Sequence, residues 1–508
     1  MFYCINLLSL EEVRRFFPYN NKEPILHSMK KFTTYLFLLI TTASYSQQDL
    51  TLYFLENVPQ RQYLNPAFRP LAKKSIGLPV VSSIYMDNMT TTFTPDNLFD
   101  ISNGAITFST DKLKQNIRDN NYFGVTSKID IFSIGVQKNK SYFSFNISEN
   151  MFSRINLSRG ILELPLYKDA DFAVHGGKFD MSNTGMNFSH YREFGFGWQR
   201  QMSDKLNIGV RVKLLAGKSN VWIEKNTFRI QTNQTNDNWQ VDGELGVKTS
   251  GFDSSGNIRS GNVGSYMLNS QNKGFALDAG ITYKIGKKIE LSASMVDFGF
   301  INWSSENNNI QTNNVSFSFR GIDISEIVYT PDSLNFDTLS NAYNRLQNAA
   351  SNQLGYSENK NSYRKSLMAR FHFGGTYTLF KKGKLEGKAG VLVQAEIYNN
   401  LLRPSLTLSY NQNVGRWLNA SVSYSMINSN RNNLGLGISA NLGPIQVYAA
   451  LDNVFAAKMT TFTTTNNGQR EDLFSYPTNS YKTHAHVGIN LTFGAKKAAK
   501  ERESIIEE

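Results

Sequence analysis

From residue 366 to 493 the chain repeats one unit: a strand of alternating polar and apolar residues, a very short turn, a second such strand, then a looser connection. Leu434, Leu436, Ile438, Ala440 and Leu442 share one parity, and Gly435, Gly437, Ser439 and Asn441 share the other. Ala485, Val487, Ile489, Leu491 and Phe493 stand in the same relation to His484, His486, Gly488, Asn490 and Thr492. Successive side chains of a strand point to opposite faces, so each of these strands has one apolar and one polar face. Sustained repetition of that kind predicts an all-β chain: a transmembrane antiparallel β-barrel, apolar toward lipid and polar toward its lumen.

The same alternation predicts strand pairs further upstream. Ile129–Gln137 pairs with Ser141–Ser148, Phe194–Met202 with Leu206–Leu215, and Phe275–Ile285 with Ile289–Val296. Leu367–Phe380 then pairs with Leu385–Tyr398, Ser405–Gln412 with Leu418–Ile427, and Leu434–Leu442 with Ile445–Phe455. Turns within pairs are short and rich in Gly, Asp, Lys and Pro, as in Gly286-Lys287-Lys288 and Gly443-Pro444; these residue types suit tight hairpins. Connections between pairs, such as Gly251–Lys273, Trp303–Lys365 and Ala456–Lys482, are long and rich in Asn, Ser and Thr. That asymmetry predicts periplasmic turns and extracellular loops. Ser75–Tyr85 reads as the first strand, Asp111–Arg118 as a short helix, and Pro331–Ala350 as a stretch of the longest loop able to hold a helix.

The start of the chain reads as an export signal. Met29 is followed by Lys30 and Lys31, the apolar run Tyr35-Leu36-Phe37-Leu38-Leu39-Ile40, and small residues at Ser44 and Ser46 that precede a cleavage before Gln47. The run is too short to span a bilayer, which needs roughly 20 apolar residues. The expected organisation is therefore an upstream extension over 1–28, a signal peptide over 29–46, an irregular proline-containing segment over 47–74, a barrel over 75–493 with long extracellular loops, and a charged periplasmic tail over 494–508. The single cysteine, Cys4, precedes the expected cleavage, so the mature chain has neither a disulfide framework nor a thiolate metal site. An exported chain of strands is expected in the outer membrane of a Gram-negative cell, with outer-membrane lipid, lipopolysaccharide and the barrel-assembly machinery as partners.

The formal charge of +12 raises nucleic acid as a partner, but the lysines cluster in turns and no basic stripe with interleaved aromatics appears, so no nucleic-acid partner is expected. Aromatic residues make up 13% of the chain, as interfacial girdles require.

Strand phase names the lumen residues. Arg211 and Lys213 oppose Ile208, Val210, Val212 and Leu214; Asp242 and Glu244 oppose Val241 and Leu245; Arg370 and His372 oppose Phe371 and Phe373; Glu386, Lys388 and Glu396 oppose Leu385, Ala389 and Ile397. His484 and His486 share one strand face, a spacing that suits two metal ligands, but no third ligand lies near in sequence and polar lumen histidines are the expectation. Glu386 and Glu396 sit at opposite ends of one strand, too far apart to cooperate as acid and base. There is no nucleophile elbow, phosphate loop or His-Glu-Xaa-Xaa-His motif. Neither a catalytic centre nor a cofactor is expected. Asp297 shares parity with the lipid-facing Ile289, Leu291, Ala293 and Met295. A carboxylate there requires a bulge that shifts the phase, or a position above the membrane.

The segment Gln48-Asp49-Leu50-Thr51-Leu52-Tyr53-Phe54, followed by Asn57-Val58-Pro59-Gln60 and Tyr63-Leu64-Asn65-Pro66-Ala67-Phe68-Arg69-Pro70, resembles a family of uncharacterised Bacteroidota outer-membrane proteins. Asn65-Pro66-Ala67 is similar to an element near the start of the wider FadL and PorV/PorQ barrel superfamily. The resemblance implies a barrel of about fourteen strands with residues 47–74 folded into the lumen as a plug. It also implies two functions: a transporter or porin for a small or amphipathic solute, or a non-conducting scaffold or shuttle component. The latter would work with type IX secretion, surface protein export or surface lipoproteins.

Overall fold

The computed structural model describes residues 49–102, 105–163, 166, 177–233, 238–252, 263–312, 314–320, 356–398, 401–427, 433–453, 459–466, 469–477 and 482–494. Fourteen strands form an up-and-down antiparallel meander. The first is interrupted, running as β1a (Lys74–Gly77) and β1b (Ile84–Thr90). There follow β2 (Asn120–Lys138), β3 (Ser141–Ser158), β4 (Gly185–Gln201), β5 (Leu206–Asn226), β6 (Asn272–Ile285) and β7 (Ile289–Trp303). The second half comprises β8 (Arg370–Lys382), β9 (Leu385–Tyr398), β10 (Leu401–Val414), β11 (Leu418–Ile427), β12 (Leu434–Leu442), β13 (Ile445–Asp452) and β14 (Lys482–Phe493). β14 pairs with β13 on one side and with both parts of β1 on the other, so no edge is left open.

Alternation is what the sheet converts into two surfaces. Phe143, Phe196, Leu214, Leu291, Phe373, Leu408, Val422, Leu436, Ile438, Val447 and Val487 are exposed on the outside. Asn146, Ser148, Gln394, Thr407, Asn411, Ser421, Ser439 and Asn490 are buried on the inside. A continuous apolar exterior is unfavourable in water and is the lipid-facing wall of a membrane barrel.

Several bulges interrupt the ladder, and two irregularities bear on the lumen. At the first, Leu277 pairs with Phe298 and Ala279 with Met295, so Val296 and Asp297 together oppose Asp278. Asp297 takes φ 59, and the bulge turns its carboxylate inward. Beyond it Ile301 and Trp303, not their even-numbered neighbours, are buried. The second corrects the continuous strand expected over Ser75–Tyr85. Residues 78–83 leave the sheet between β1a and β1b, opposite only Gly488 and Ile489 of β14. Pro79 has no N–H to give a ladder and Val80 adopts φ 69. Val80 and Val81 project outward, while Ser82 and Ser83 turn in and are fully buried.

The predicted strands exist, and several run longer, notably β2, β3, β4 and β5. The expected helix forms over Thr110–Asn116, with Ser109 accepting from the Lys112 N–H as its cap. Pro331–Ala350, residues 1–48 and the tail over 495–508 lie outside the described residues. Beyond the barrel rim, Lys178–Asp180, Arg229–Asn233, Asn238–Gly243 and Val315–Arg320 form a separate four-stranded sheet.

Among the described residues the largest apolar cluster lies inside the barrel. Residues 49–73 enter the lumen as two short 3-10 turns, Leu52–Phe54 and Pro59–Tyr63, joined by irregular chain. Leu50, Leu52, Tyr53, Phe54, Leu55, Val58, Leu64 and Phe68 pack together and against Leu392, Tyr448 and Ala450 of the wall. Tyr53 meets Phe54 and Phe68 edge-to-face at 5.5 and 5.0 Å.

If β12 crosses the bilayer, Ile438→Arg at its centre should cost about 2–4 kcal/mol of unfolding free energy, and Leu442→Arg beside the Gly443 turn about 0–1 kcal/mol. Urea unfolding in vesicles measures both; equal penalties would deny that the strand spans the membrane.

Candidate functional site: the filled lumen

The N-terminal segment touches the wall all the way round. Asp49, at φ 58, places Oδ1 2.7 Å from His486 Nδ1 and 3.1 Å from His484 Nε2. Thr51 Oγ1 lies 2.7 Å from Ser423 Oγ and donates to Asp452. The Tyr53 hydroxyl lies 2.8 Å from Ser292 Oγ, and its ring stacks on His372. Both carboxylate oxygens of Glu56 accept from Lys388 Nζ at 2.8 Å. Gln60 and Asn490 exchange amide hydrogen bonds of 2.9 and 3.0 Å. Tyr63 donates to Asp130 Oδ2 at 2.6 Å, and its ring lies between the Arg211 guanidinium at 4.5 Å and Lys128 Nζ at 4.9 Å.

The Asn65-Pro66-Ala67 element has a definite structural task. Asn65 Oδ1 accepts from the Ala67 N–H at 2.9 Å, and the Phe68 N–H donates to Asn65 O at 3.0 Å. Proline at the second position pre-sets such a turn. Asn65 Nδ2 reaches the wall, donating to Ala293 O at 3.2 Å. The turn presses so close that a Cβ at Gly209 would sit 2.1 Å from Pro66 O, and one at Gly280 would sit 2.0 Å from Asn65 Oδ1. These two wall positions admit only glycine under the turn.

A second layer of charge belongs to the wall itself. Arg211 bonds Glu193 at 2.6 Å and lies 3.5 Å from Asp278. Lys213 bonds Asp278 at 2.8 Å and Asp297 at 2.5 Å, and Arg370 pairs with Asp297. Lys128 lies 3.3 Å from Glu193. Apart from Lys128, whose side chain is 20% exposed, and Asp297 and Arg370, at 15% and 13%, these groups are out of water. Such ions are tolerable only when paired.

Arg211, Lys213, Arg370, His372, Glu386, Lys388, Glu396, His484 and His486 all lie on inward-facing strand positions. Asp242 and Glu244 do not, which corrects the lumen reading of both. Asp242 belongs to the separate four-stranded sheet, is exposed, and accepts from Ser316 Oγ at 2.7 Å. Glu244 follows Gly243, where φ 151 breaks that strand, and pairs with Lys225 at the rim. Alternation alone cannot say which sheet a strand joins. The sequence reading did not single out Asp49, Glu56, Tyr63, Lys128, Asp130, Glu193 or Asp278. Asp278 alternates with Leu277 and Ala279, and its parity carried the signal; the bulge after Asp130 puts that residue in phase with the outward Ile134 and Val136, so parity pointed it the wrong way.

His484 and His486 bind no shared ligand set: among the described residues no group of three or more His, Cys, Asp or Glu is arranged to hold a metal. They clamp Asp49 instead. His486 also carries a contact that sequence could not show, since Ser83 Oγ lies 2.8 Å from its Nε2 and completes a Ser83–His486–Asp49 chain. Ser83 has 0% exposure, so its hydroxyl has no surface for a substrate to meet, and the chain acts as a pin.

Above the segment lies a cavity of about 90 Å³. Asp49, Tyr63 and Leu64 form its floor, and Tyr85, Lys128, Phe152, Tyr191, Met368 and Arg370 are among its walls. Room for a few water-sized groups, with aromatic and cationic walls, suits the end of a small amphipathic molecule.

Residues 66–452 match a family described as a family of unknown function (DUF5723). No curated protein matches the chain. Among solved structures, a FadL homologue of Pseudomonas aeruginosa aligns at 12% identity over 90% of this chain and 98% of its own, with a TM-score of 0.39. The Ralstonia pickettii toluene transporter TbuX aligns at 8% identity over 89% and 96%, with a TM-score of 0.38. The translocator domain of the Neisseria meningitidis autotransporter NalP aligns at 7% identity over 83% and 89%, with a TM-score of 0.29. The barrel assignment rests on the strand pairing, independently of these alignments.

Tyr63→Phe leaves buried Asp130 without that donor and should lower stability by about 1–3 kcal/mol. Gly280→Leu should leave the barrel folded but lift the turn, so that trypsin cuts after Arg61. Full protease resistance in Gly280→Leu would show that the turn does not depend on this contact.

Proposed function

The chain belongs to the DUF5723 family, and we propose that it is an outer-membrane transport barrel in which residues 49–73 act as a displaceable plug for a small, amphipathic solute. The observation that carries this reading is the filling itself. A segment held in the lumen by non-covalent contacts, and among the described residues continuous with the wall only where it enters β1a, sits beneath a cavity lined by Tyr63, Tyr85, Tyr191, Lys128 and Arg370. A rigid structural barrel has no need of a cavity with aromatic and charged walls beside a separable stopper. The short turns are assigned to the periplasm and the long connections to the cell exterior, because bacterial outer-membrane barrels are built with that asymmetry. The solute would enter at the long-connection end, meet the cavity, and pass when the plug shifts. The protein works as a transporter and not as an enzyme.

In planar bilayers the intact barrel is expected to be closed or nearly so, and a chain lacking residues 49–72 should show stable, large conductance. Liposome swelling with small sugars should follow the same order. A barrel that folds, verified by heat-modifiable migration, yet never conducts after that deletion would sink the transport reading. The non-conducting scaffold would then be favoured.

A further inference from the structure

Among the described residues, one buried ion pair joins strands far apart in the sheet without involving the N-terminal segment. Arg154 Nη1 of β3 lies 3.1 Å from Glu396 Oε1 of β9, and the two side chains are 2% and 0% exposed. Five strands separate β3 from β9 in one direction round the barrel and seven in the other. The pair therefore bridges opposite walls.

Register gives its level. Phe152 and Asn187 line the cavity; Arg154 is the next inward residue beyond Phe152 and pairs with Asn187 across the sheet. Glu396 pairs across the sheet with Arg370, another cavity residue. The bridge thus stands at the long-connection edge of the cavity, opposite the floor made by Asp49, Tyr63 and Leu64. The Arg154 guanidinium is further held against the Phe152 ring at 4.9 Å and the Tyr122 ring at 5.8 Å.

Ladder hydrogen bonds hold a barrel wall together, and the other ion pairs within the wall run between strands one or two apart, as in Lys213–Asp278 and Lys213–Asp297. A contact across the lumen adds nothing to strand pairing. Its two charges are out of water while they face each other, so parting the two walls at this point is costly. Such a contact has two states, closed and hydrated. We propose that Arg154 and Glu396 form the outer gate of the lumen, which shuts the cavity from the long-connection end. This rests on the reading of the lumen as a solute path, but closure by the pair can be tested without transport.

The reporter is Asn150→Cys, a cavity residue, in a Cys4→Ser background that holds no other cysteine. A membrane-impermeant maleimide is added to intact cells, and its labelling rate reads access to the cavity from outside. Glu396→Gln and Arg154→Met should each label about tenfold faster than the unaltered pair, because each removes the attraction that holds the two walls together at this point. The double reversal, Arg154→Glu with Glu396→Arg, should restore slow labelling. Equal rates in all four proteins would overturn the gate. So would fast labelling that the reversal fails to slow, since that marks a generally loosened barrel. If the reversal does restore slow labelling but a barrel lacking residues 49–72 never conducts, the gate stands and the transport reading falls.

Discussion

Closure of the sheet is the constraint on which the rest depends. A barrel in lipid must present an apolar exterior, and because strand side chains alternate, its polar residues are forced inward. Lumen width grows with strand number, and fourteen strands enclose more space than their own inward side chains fill. Here residues 49–73 supply the missing volume. They bring a core of Leu50, Leu52, Phe54, Leu55, Leu64 and Phe68 into a polar-walled space, and they meet that wall with side chains matched to it, such as Tyr53 to Ser292 and Gln60 to Asn490. The result is inverted twice: apolar outside, polar wall, apolar centre.

Charge follows from the same constraint. Once Arg211, Lys213, Glu193 and Asp278 are forced inward, they lose water and must pair. The bulge at Asp297 is part of that solution. Without the extra residue, the carboxylate would face lipid; with it, the group reaches Lys213 and Arg370. A local backbone irregularity thus completes an ionic network spread over three adjacent strands, β6 to β8, and reaching Lys213 on β5.

Fold was largely legible in the sequence because alternation is a local signal. Leu385–Tyr398, Leu418–Ile427 and Leu434–Leu442 occupy the ranges that parity predicts. Strand ends were harder: β3 continues to Ser158, and its inward residue Arg154 lay beyond the predicted end. Asp242 and Glu244 show a different limit, since Asp242 alternates properly in a strand that joins another sheet and Glu244 falls in the break just after it. The break in β1 is foreshadowed by Pro79, but Val80 at φ 69 has no sequence signal. Least legible was the lumen, where Asp49 meets His484 and His486, and Arg154 meets Glu396, across hundreds of residues of chain. Parity shows that a side chain points inward; only the closed barrel shows what stands opposite.

The bonds inside the lumen divide into two sets with different consequences for movement. The charge pairs among Arg211, Lys213, Glu193, Asp278, Asp297 and Arg370 run between wall residues, so they can persist when the segment shifts, although Arg211 also lies over the Tyr63 ring. The segment is held largely by bonds that water can replace at modest net cost, as at Thr51–Ser423, Tyr53–Ser292 and Gln60–Asn490. Its apolar side chains pack chiefly on one another, so a shift of the whole segment keeps most of that burial. The contacts that resist movement most are those to charged groups: Asp49 with the two histidines, Thr51 with Asp452, Glu56 with Lys388, and Tyr63 with Asp130. They lie on different sides of the lumen, so no single one holds the segment, and release requires their loss together. That arrangement separates the integrity of the wall from the position of its filling, which is what a stopper that moves inside a stable barrel requires.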